Sequence, residues 1–437
     1  IQTVSYIAQS QAPFTMTEEE SRHIQVSFHS SSDKPIPGTE DAIVDVPISA
    51  DWEKLNSLVN KLAVAADDEW KERRFELLIG STFLRSSLSE FIQENHLDFE
   101  RVVKIECVDG YEPPQPHLSL SGPDWISSVH ITPSIYLATA FDGSITVWDR
   151  KGEKLSQHTR EESAIKGGCV IEKPKGSGVG GLKLATGLEN GSIWVEEWAA
   201  NGTVSAVAAL RGHARSVEAV KVGADGSRLI SGGFDAHVKV WNLAADASDV
   251  YEAPKSKNEK RSKEEFVTKT PMVTLAAHSD AIVALEWSPH QKERAFSASW
   301  DHSLLQWDLE LAGEVSRIRA QRGFTSISIH QSTGMIIGGL TDACPRLYDP
   351  RSSEGSFLKQ SFIGHKGWVT CVRWTERDDH SFISSSFDGT VKMWDCRSAK
   401  TPVFDISGHE DRVLCCEVGE GSILSGGVDT KVNIFTF

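Results

Sequence analysis

The sequence predicts a large all-β domain built as a seven-bladed propeller, preceded by a smaller α+β domain. A Gly-His pair, a turn Asp and a terminal Trp-Asp recur along residues 116–437, best at Gly364-His365, Asp388 and Trp394-Asp395. The turn residue returns about every 41 to 48 positions, apart from one longer gap, which is the spacing of WD repeats. One such blade cannot bury its own apolar faces, so seven copies predict a closed, seven-bladed WD40 propeller.

The seven copies differ in completeness. The second is degenerate, the fifth has lost its Gly-His, and the sixth is the best. The turn residue and the terminal aromatic residue of each copy are Asp142 and Trp148, Asn190 and Trp198, Asp235 and Trp241, Asp301 and Trp307, Asp342 and Tyr348, Asp388 and Trp394, and Asp429 and Phe435.

Four copies combine a His with the turn Asp, a pairing also found in catalytic sites. In WD repeats the His, the turn Asp and the Trp form a buried hydrogen-bonded set, and a buried carboxylate needs such partners because an unpaired one is costly. We therefore interpret four pairs as structural: His213 with Asp235, His278 with Asp301, His365 with Asp388, and His409 with Asp429.

The last repeat ends on its third strand, at Phe437. Its fourth, outer strand must come from elsewhere in the chain, or an edge of the sheet is left open. The segment 116–120 stands directly before the first repeat, where an outer strand stands before every Gly-His. We expect it to close the ring.

Residues 23–109 do not repeat, and they predict an α+β ubiquitin-like (β-grasp) domain. The alternation of apolar residues predicts strands, and apolar residues at helical spacing after Asp51 predict a helix. The predicted elements are strands at 23–28, 42–48, 75–79 and 102–108, a helix that begins at 49–52, and a short helix at 89–96. The domain runs on into further chain instead of ending in a free Gly-Gly, so we expect a binding module and not a conjugated modifier.

Three segments lie outside these domains. Residues 1–22 are a tail, native or left by cloning, and the proline-rich residues 110–115 are a semi-rigid linker. Residues 249–271 are a charged insertion, which is either a solvated disordered loop or an exposed nuclear import signal or RNA-backbone contact. The basic residues of the import signal would be Lys255, Lys257, Lys260, Arg261 and Lys263.

Composition excludes several classes of function. The net charge of −16 disfavours nucleic-acid binding by the body of the protein and favours basic protein partners. The seven cysteines have no paired spacing, which indicates a reducing compartment and no zinc site. No apolar run approaches the length of a membrane span, and we find no signal peptide and no motif of an enzyme. We expect a non-enzymatic protein without a cofactor of its own and without a membrane partner.

One rim of the propeller carries candidate partner-binding residues. The residue before each turn Asp lies near this rim, and four of the seven are aromatic: Phe141, Phe234, Trp300 and Phe387. They either pack between blades or anchor a protein partner, because aromatic anchors dominate binding hot spots. Lys366, Trp368 and Arg412, just past Gly-His positions, are expected at the same surface.

The order of the segments resembles one family. A ubiquitin-like domain with the core residues 75–80 and 83–88, a proline linker, the segment 124–128 and seven blades are together similar to the WD-repeat subunit of the PeBoW complex, the Ytm type, an assembly factor of the large ribosomal subunit. The resemblance covers about 24–437. The notchless-type assembly factor has a similar N-terminal domain but eight blades, so seven blades and the segment 124–128 favour the Ytm type.

The resemblance implies a mechanism for the N-terminal domain. In that family it docks on the adhesion site of midasin, a large ATPase, where one acidic side chain completes the shell of the partner's Mg²⁺. Motif matching places this acid at Glu100, with Asp98 as the local competitor. Mg²⁺ prefers six oxygen ligands, so an incoming carboxylate is a suitable one.

The resemblance also implies the remaining partners. The propeller would bind the Erb or block-of-proliferation propeller protein, through it a pescadillo-type protein, and the pre-ribosomal large subunit, in the nucleus, nucleolus and nucleoplasm. ATP hydrolysis by midasin would then remove the complex. The alternatives are a notchless-type factor, a substrate receptor of a ubiquitin ligase, and an RNA-binding propeller; the net charge of −16 argues against the last.

Overall fold

The computed structural model describes residues 22–30, 35–39, 42–96, 102–110, 112–160, 163–174, 176, 178–244, 266–352 and 357–437. The chain divides into two compact units, 1–112 and 113–437.

The N-terminal unit is one five-stranded mixed sheet with two helices. Its strand order is β2-β1-β5-β3-β4, with the first and last strands of the unit parallel at its centre, as in a β-grasp domain. The predicted fold class is confirmed. The elements are β1 (His23–His29), β2 (Ile43–Pro47), α1 (Trp52–Ala66), β3 (Phe75–Ile79), β4 (Thr82–Phe83), α2 (Leu88–Asn95) and β5 (Val103–Asp109).

Both helices begin at residues that satisfy their free backbone N–H groups. The side chain of Asp51 accepts a hydrogen bond from the N–H of Lys54 at the start of α1. Ser87 and Glu90 form a reciprocal capping box at the start of α2. The buried side of α1 includes Leu55 and Val59, which pack in one core with the inner face of the sheet.

Two buried asparagines join α1 to the segment that leads into β3. Asn56 donates from Nδ2 to the carbonyl of Phe75 at 2.6 Å, and Asn60 donates to the carbonyl of Arg73 at 2.8 Å. Oδ1 of Asn60 accepts from the N–H of Arg73 and from Nε1 of Trp70. These bonds satisfy backbone groups that burial would otherwise leave unpaired.

The second unit consists of seven sheets, each built on four antiparallel strands, which confirms the predicted seven-bladed propeller. Each blade begins with its innermost strand. Blade 1 has β7 (Ile126–Ile131), β8 (Ile135–Ala140), β9 (Ser144–Asp149) and β10 (Lys154–Thr159); blade 2 has β11 (Ile165–Glu172), β12 (Lys183–Leu188), β13 (Ser192–Trp198) and β14 (Val204–Arg211); blade 3 has β15 (Val217–Val222), β16 (Arg228–Gly233), β17 (His237–Asn242) and, after β18 (Val267–Lys269), β19 (Val273–Ala276).

The remaining blades follow in chain order. Blade 4 has β20 (Ile282–Trp287), β21 (Arg294–Ser299), β22 (Ser303–Asp308) and β23 (Gly313–Arg319); blade 5 has β24 (Phe324–Ile329), β25 (Ile336–Leu340), β26 (Arg346–Tyr348) and β27 (Leu358–Ser361); blade 6 has β28 (Val369–Trp374), β29 (Ser381–Ser386), β30 (Thr390–Asp395) and β31 (Phe404–Ser407); blade 7 has β32 (Val413–Gly419), β33 (Ser422–Gly427), β34 (Lys431–Thr436) and β6 (Gln115–Ser121).

All seven innermost strands carry a register shift near their start, between residues such as Val369 and Cys371 in blade 6. A bulge leaves one residue out of the ladder and turns its side chain. In blade 6 that residue is Thr370, whose hydroxyl donates to the carbonyl of Val413 in blade 7 at 2.8 Å. The bulge therefore serves contacts between neighbouring blades.

The charged insertion rejoins the fold earlier than its predicted end at residue 271. Residues 267–269 form β18, which pairs in parallel with β14 at the outer edge of blade 2 before the chain returns to blade 3. Nζ of Lys269, which is buried, donates to the carbonyl of Asn242 at 2.9 Å. The insertion thus connects the edges of blades 2 and 3. Its basic residues lie in 245–265, outside the described residues.

The ring closes in blade 7, where β6 pairs antiparallel with β34. The strand begins at Gln115, one residue before the predicted segment 116–120. Leu120 lies opposite Val432 and is buried in a cluster shared with blade 1. Oγ of Ser119 donates to Oδ1 of Asn433 at 2.6 Å, across 314 positions of sequence.

Replacing Leu120 with Ala tests this closure. We expect a loss of about 2 to 5 kcal/mol in the free energy of unfolding of the propeller, because a buried leucine is truncated at the seam of the ring. Urea unfolding followed by tryptophan fluorescence measures it. Leu311→Ala is the control, since Leu311 is 83% exposed. Equal midpoints for the two variants would show that β6 contributes little to closure.

Candidate functional site

The histidine–aspartate pairs lie inside the blades, and blade 6 shows the arrangement. His365 and Asp388 are joined at 2.8 Å between Nδ1 and Oδ2, and Nε2 of His365 lies 2.7 Å from Oγ of Ser384. Nε1 of Trp394 donates to the same hydroxyl at 2.8 Å. An indole N–H only donates and a carboxylate only accepts, so the serine donates to Nε2 and the histidine carries its proton on Nδ1.

We call this His, Asp, Ser and Trp set the staple. Blades 3 and 4 repeat it, and blade 7 keeps all but the tryptophan, which is replaced by Phe435. The histidine-to-aspartate and histidine-to-serine distances are 2.8 and 2.7 Å for His213 with Asp235 and Ser231, 2.8 and 2.7 Å for His278 with Asp301 and Ser297, and 3.0 and 2.8 Å for His409 with Asp429 and Ser425.

The staples have a structural geometry and not a catalytic one. The four histidine side chains are at most 2% exposed, and both ring nitrogens of each are already hydrogen-bonded. A general base must reach the proton that it abstracts, which a buried and fully paired imidazole cannot do.

The serine of the staple is a residue that the sequence reasoning missed. It stands four positions before the turn Asp in each of the four blades, for example Ser384 before Asp388. This constant offset is a signal that the sequence does contain. The role of the serine could not be inferred from this offset alone, because only the register of the strands places the hydroxyl between the histidine and the tryptophan.

The staple keeps its aspartate ionised. Burial acts to raise the pKa of Asp235, but the hydrogen bond from His213 and those from two backbone N–H groups outweigh it and lower the pKa to about 2. Burial likewise acts to raise the pKa of Asp301, and hydrogen bonds from Ser303, Ser279 and His278 lower it to about 2. Burial lowers the pKa of His278, consistent with a neutral ring.

Blade 2 has replaced the staple with an ion pair. The repeat pattern predicts Trp198 as the terminal Trp of this blade, and the register of the strands shows that this prediction is wrong. Glu196 lies opposite Leu184, as Trp241 lies opposite Leu229 in blade 3. Nη2 of Arg160, from the end of blade 1, donates to Oε1 of Glu196.

The ion pair that replaces the staple in blade 2 is buried. The side chains of Glu196 and Arg160 are 1% and 13% exposed, and His158 lies 3.4 Å from the same carboxylate oxygen. Burial acts to raise the pKa of Glu196, but His158 and Arg160 together lower it. The guanidinium also lies 3.9 Å above the ring of Trp194. An ionic contact between blades 1 and 2 thus stands where blades 3, 4 and 6 have the staple.

The predicted rim residues form three aromatic pairs. The rim lies at the strand ends that carry the turn aspartates and the connections between blades. Trp125, Trp300 and Trp368 are 46%, 41% and 52% exposed. Their ring centroids lie 6.4 Å from Phe141, 5.3 Å from Phe234 and 5.8 Å from Phe387, respectively. The sequence reasoning missed Trp125 as a rim residue.

A cation lies over each of the three phenylalanines. Lys166 lies 5.0 Å from the ring centroid of Phe141, Arg215 lies 5.4 Å from that of Phe234, and Arg412 lies 5.4 Å from that of Phe387. The phenylalanines are thus held on two sides, while the tryptophans remain available to a partner. Because each tryptophan packs against a phenylalanine that is already held in place, it loses less side-chain entropy when a partner binds.

The rim pair of blade 1 and Phe387 of blade 6 border one cavity of about 550 Å³. Trp125, Phe141, Phe387 and Val428 supply apolar walls, and Lys166, Arg412, Asp124 and Glu189 supply charge at its edge. Lys366 is exposed in the connection before blade 6, where its backbone N–H donates to Asp388 at 2.9 Å. The structure thus brings together the predicted residues Phe141, Phe387 and Arg412, while Phe234 and Trp300 form a separate pair.

Two sets of predicted residues lie outside the described part of the chain. Asp98 and Glu100 fall in 97–101, between α2 and β5, and the basic import residues fall in 245–265. Within the described residues, no group of three or more His, Cys, Asp or Glu side chains could hold a metal ion. Neither α1 nor α2, the helices of the described ranges, has the length and apolar character that crossing a bilayer requires.

Family models match both units. The NLE (NUC135) domain matches residues 24–92. The WD domain, G-beta repeat, matches residues 204–242, 269–308 and 356–395, which fall on blades 2 to 6.

Curated relatives match across most of the chain. The chain is 43% identical over 432 residues to the ribosome biogenesis protein WDR12 homolog of Caenorhabditis briggsae, covering 96% of each chain. It is 41% identical to the homolog of Brugia malayi, covering 90% of this chain and 91% of the relative. It is 32% identical to the homolog of Ixodes scapularis, covering 95% and 99%.

The ion pair of blade 2 gives a testable prediction. Glu196→Leu leaves the buried guanidinium of Arg160 without its carboxylate, so we expect a loss of about 3 to 5 kcal/mol in the free energy of unfolding. The double variant with Arg160→Met removes both charges and should recover most of that loss. Chemical denaturation measures all three proteins.

The control is Glu172→Gln, which breaks the exposed pair with Lys183 and should cost less than about 1 kcal/mol. If the double variant is as unstable as Glu196→Leu, the loss comes from packing and not from the orphaned charge.

Proposed function

We propose a role for each domain from one premise: the chain belongs to the WDR12 family of ribosome biogenesis proteins. It is a ribosome biogenesis factor. The observation that carries this conclusion is 43% identity to a relative of that name over 96% of both chains, which spans the ubiquitin-like domain and the whole propeller.

In this proposal the ubiquitin-like domain is the part of the chain that midasin binds and pulls, and we call it the handle. Glu100 enters the adhesion site of the ATPase midasin and supplies one oxygen ligand to a Mg²⁺ ion that the partner holds, with Asp98 as the competing acid. The chain then needs no metal or cofactor of its own. Support comes from the chemistry, because Mg²⁺ accepts carboxylate oxygens in a six-coordinate shell, and from the position of Glu100 in the connection between α2 and β5.

The propeller is the anchor. Its rim binds the Erb or block-of-proliferation propeller protein, and through it a pescadillo-type protein and the pre-ribosomal large subunit. The three exposed tryptophans support this role, because tryptophan is enriched among the hot spots of protein interfaces. With a net charge of −16, the chain reaches the pre-ribosome through protein contacts more than through RNA.

The protein works in the nucleolus and nucleoplasm under this proposal, as a non-enzymatic adaptor. ATP hydrolysis by midasin pulls on the handle, and the anchored complex leaves the particle. The tract with Lys255, Lys257, Lys260, Arg261 and Lys263 serves nuclear import.

The handle is tested with the full chain and the midasin adhesion-site domain, in Mg²⁺ and in chelator. We expect Mg²⁺-dependent binding that Glu100→Gln abolishes, because an amide cannot replace the charged oxygen ligand. Asp98→Asn is the matched control and should bind like the unchanged chain. Binding that persists in chelator, or in Glu100→Gln, would exclude the handle while leaving the anchor untouched.

The anchor is tested by calorimetry with the purified Erb-type propeller. Trp368→Ala and Trp125→Ala should each weaken binding by about 2 kcal/mol or more if they are hot spots. Leu311→Ala is the control, because Leu311 is equally apolar but lies in the β22–β23 connection, at the opposite ends of the strands. Affinities equal to the control for Trp125, Trp300 and Trp368 variants would place the partner elsewhere.

A further inference from the structure

Four of the seven cysteines lie on innermost strands and line the central channel of the propeller, a space of about 510 Å³. They are Cys169 on β11, Cys371 on β28, and Cys415 and Cys416 on β32. All four are buried free thiols among the residues that line this channel.

Cys371 and Cys416 face each other across the boundary between blades 6 and 7. Sγ of Cys371 lies 3.5 Å from the backbone carbonyl oxygen of Cys416, and both cysteines line the channel. Cys415 instead approaches the carbonyls of Ile126 and Gly426. The alternation of side chains along β32 therefore directs only one of its two cysteines toward Cys371.

The surroundings of the pair shift the pKa values of its two thiols in opposite directions. Arg373 follows Cys371 on the same side of β28 and lies 3.3 Å from Glu417, while Lys221 and Glu286 pair at 2.7 Å elsewhere in the channel. The hydrogen bond from Cys416 and the charge of Arg373 lower the pKa of Cys371 against the effect of burial. Burial raises the pKa values of Cys416, Cys415 and Cys169.

We propose that Cys371 and Cys416 form a reactive dithiol site in the channel, at which small peroxides convert the pair to a disulfide between blades 6 and 7. The site rests on the facing thiols, on the adjacent guanidinium and on the channel that admits the oxidant. It is independent of the function proposed for the two domains.

The reaction balances with hydrogen peroxide as the oxidant. The Cys371 thiolate attacks one peroxide oxygen, the O–O bond breaks, and hydroxide leaves as Cys371 becomes a sulfenic acid. The sulfur of Cys416 then attacks the Cys371 sulfur, the S–O bond breaks, and water forms with the proton of Cys416. Two thiols lose two electrons, and one peroxide is reduced to two waters. A dithiol reductant reverses the step by exchange.

The disulfide would join β28 of blade 6 to β32 of blade 7, the blade that β6 closes. It would add a covalent connection between two blades whose described contacts, such as the hydrogen bond from Thr370 to Val413 and the ion pair of Arg373 with Glu417, are noncovalent. Such a cross-link restricts the unfolded chain, so the oxidised propeller should melt at a higher temperature than the reduced one.

The first test measures alkylation of the full reduced chain by iodoacetamide at pH 6, with each cysteine followed by peptide mass spectrometry. We expect Cys371 to react at least tenfold faster than Cys169 and Cys415, because only a thiolate is nucleophilic. Arg373→Gln should slow Cys371 alone. Equal rates for the channel cysteines would overturn the proposal, and this comparison needs no variant that could fail to fold.

The second test treats the full chain with hydrogen peroxide. We expect a Cys371–Cys416 disulfide in the peptide map, a raised melting temperature, and return to the starting state with dithiothreitol. Cys416→Ser should stop at a sulfenic acid on Cys371 that dimedone traps, while Cys169→Ser should behave like the unchanged chain. Disulfides that form at random, or none, would show that the thiols only fill space.

Discussion

Closure of the ring is the constraint on which the propeller depends. Each blade has two apolar faces and can bury them only against its neighbours, so a gap at any boundary exposes core. The gap is closed by β6 and β34, which lie at the two ends of the propeller sequence and meet across 314 positions at Ser119 and Asn433. Contacts this distant in sequence form late and slowly, so local features must hold each blade until closure.

The staples are those local features, and their distribution shows how much variation a closed ring tolerates. Blades 3, 4 and 6 have the full staple, blade 7 lacks its tryptophan, and blade 2 has the buried pair of Arg160 and Glu196. Blade 5 pairs Arg346 with its turn Asp342 at 2.7 Å instead. The turn aspartate needs a donor, but the donor can be an imidazole or a guanidinium, because either satisfies a buried carboxylate.

The features that repeat along the chain could be predicted from the sequence, whereas the features that depend on the register of the strands could not. Turn aspartates at regular spacing revealed seven blades, and the unpaired last strand pointed to β6. The role of Glu196 stayed hidden because the nearby Trp198 imitates the motif, and only the pairing of Glu196 with Leu184 exposes the substitution. β18 was missed because it follows a polar tract. Among the site residues, motif position predicted the rim phenylalanines and Arg412, whereas Trp125, Lys166 and Arg215 meet them only after folding.

Under the proposed function, the force that midasin exerts on the ubiquitin-like domain also passes through the closing strand β6. The first unit ends at Glu112 and β6 begins at Gln115, so a pull on the handle reaches the propeller through β6. The first residues of β6 are exposed and contribute little packing, whereas Leu120 at its far end is buried in the core shared with blade 1. The pairs near Gln115 would therefore open first, and Leu120 would hold. The protein can be removed intact only if the rim releases its partner before Leu120 leaves that core. This order of events favours a partner that is held by a few aromatic anchors at an exposed rim.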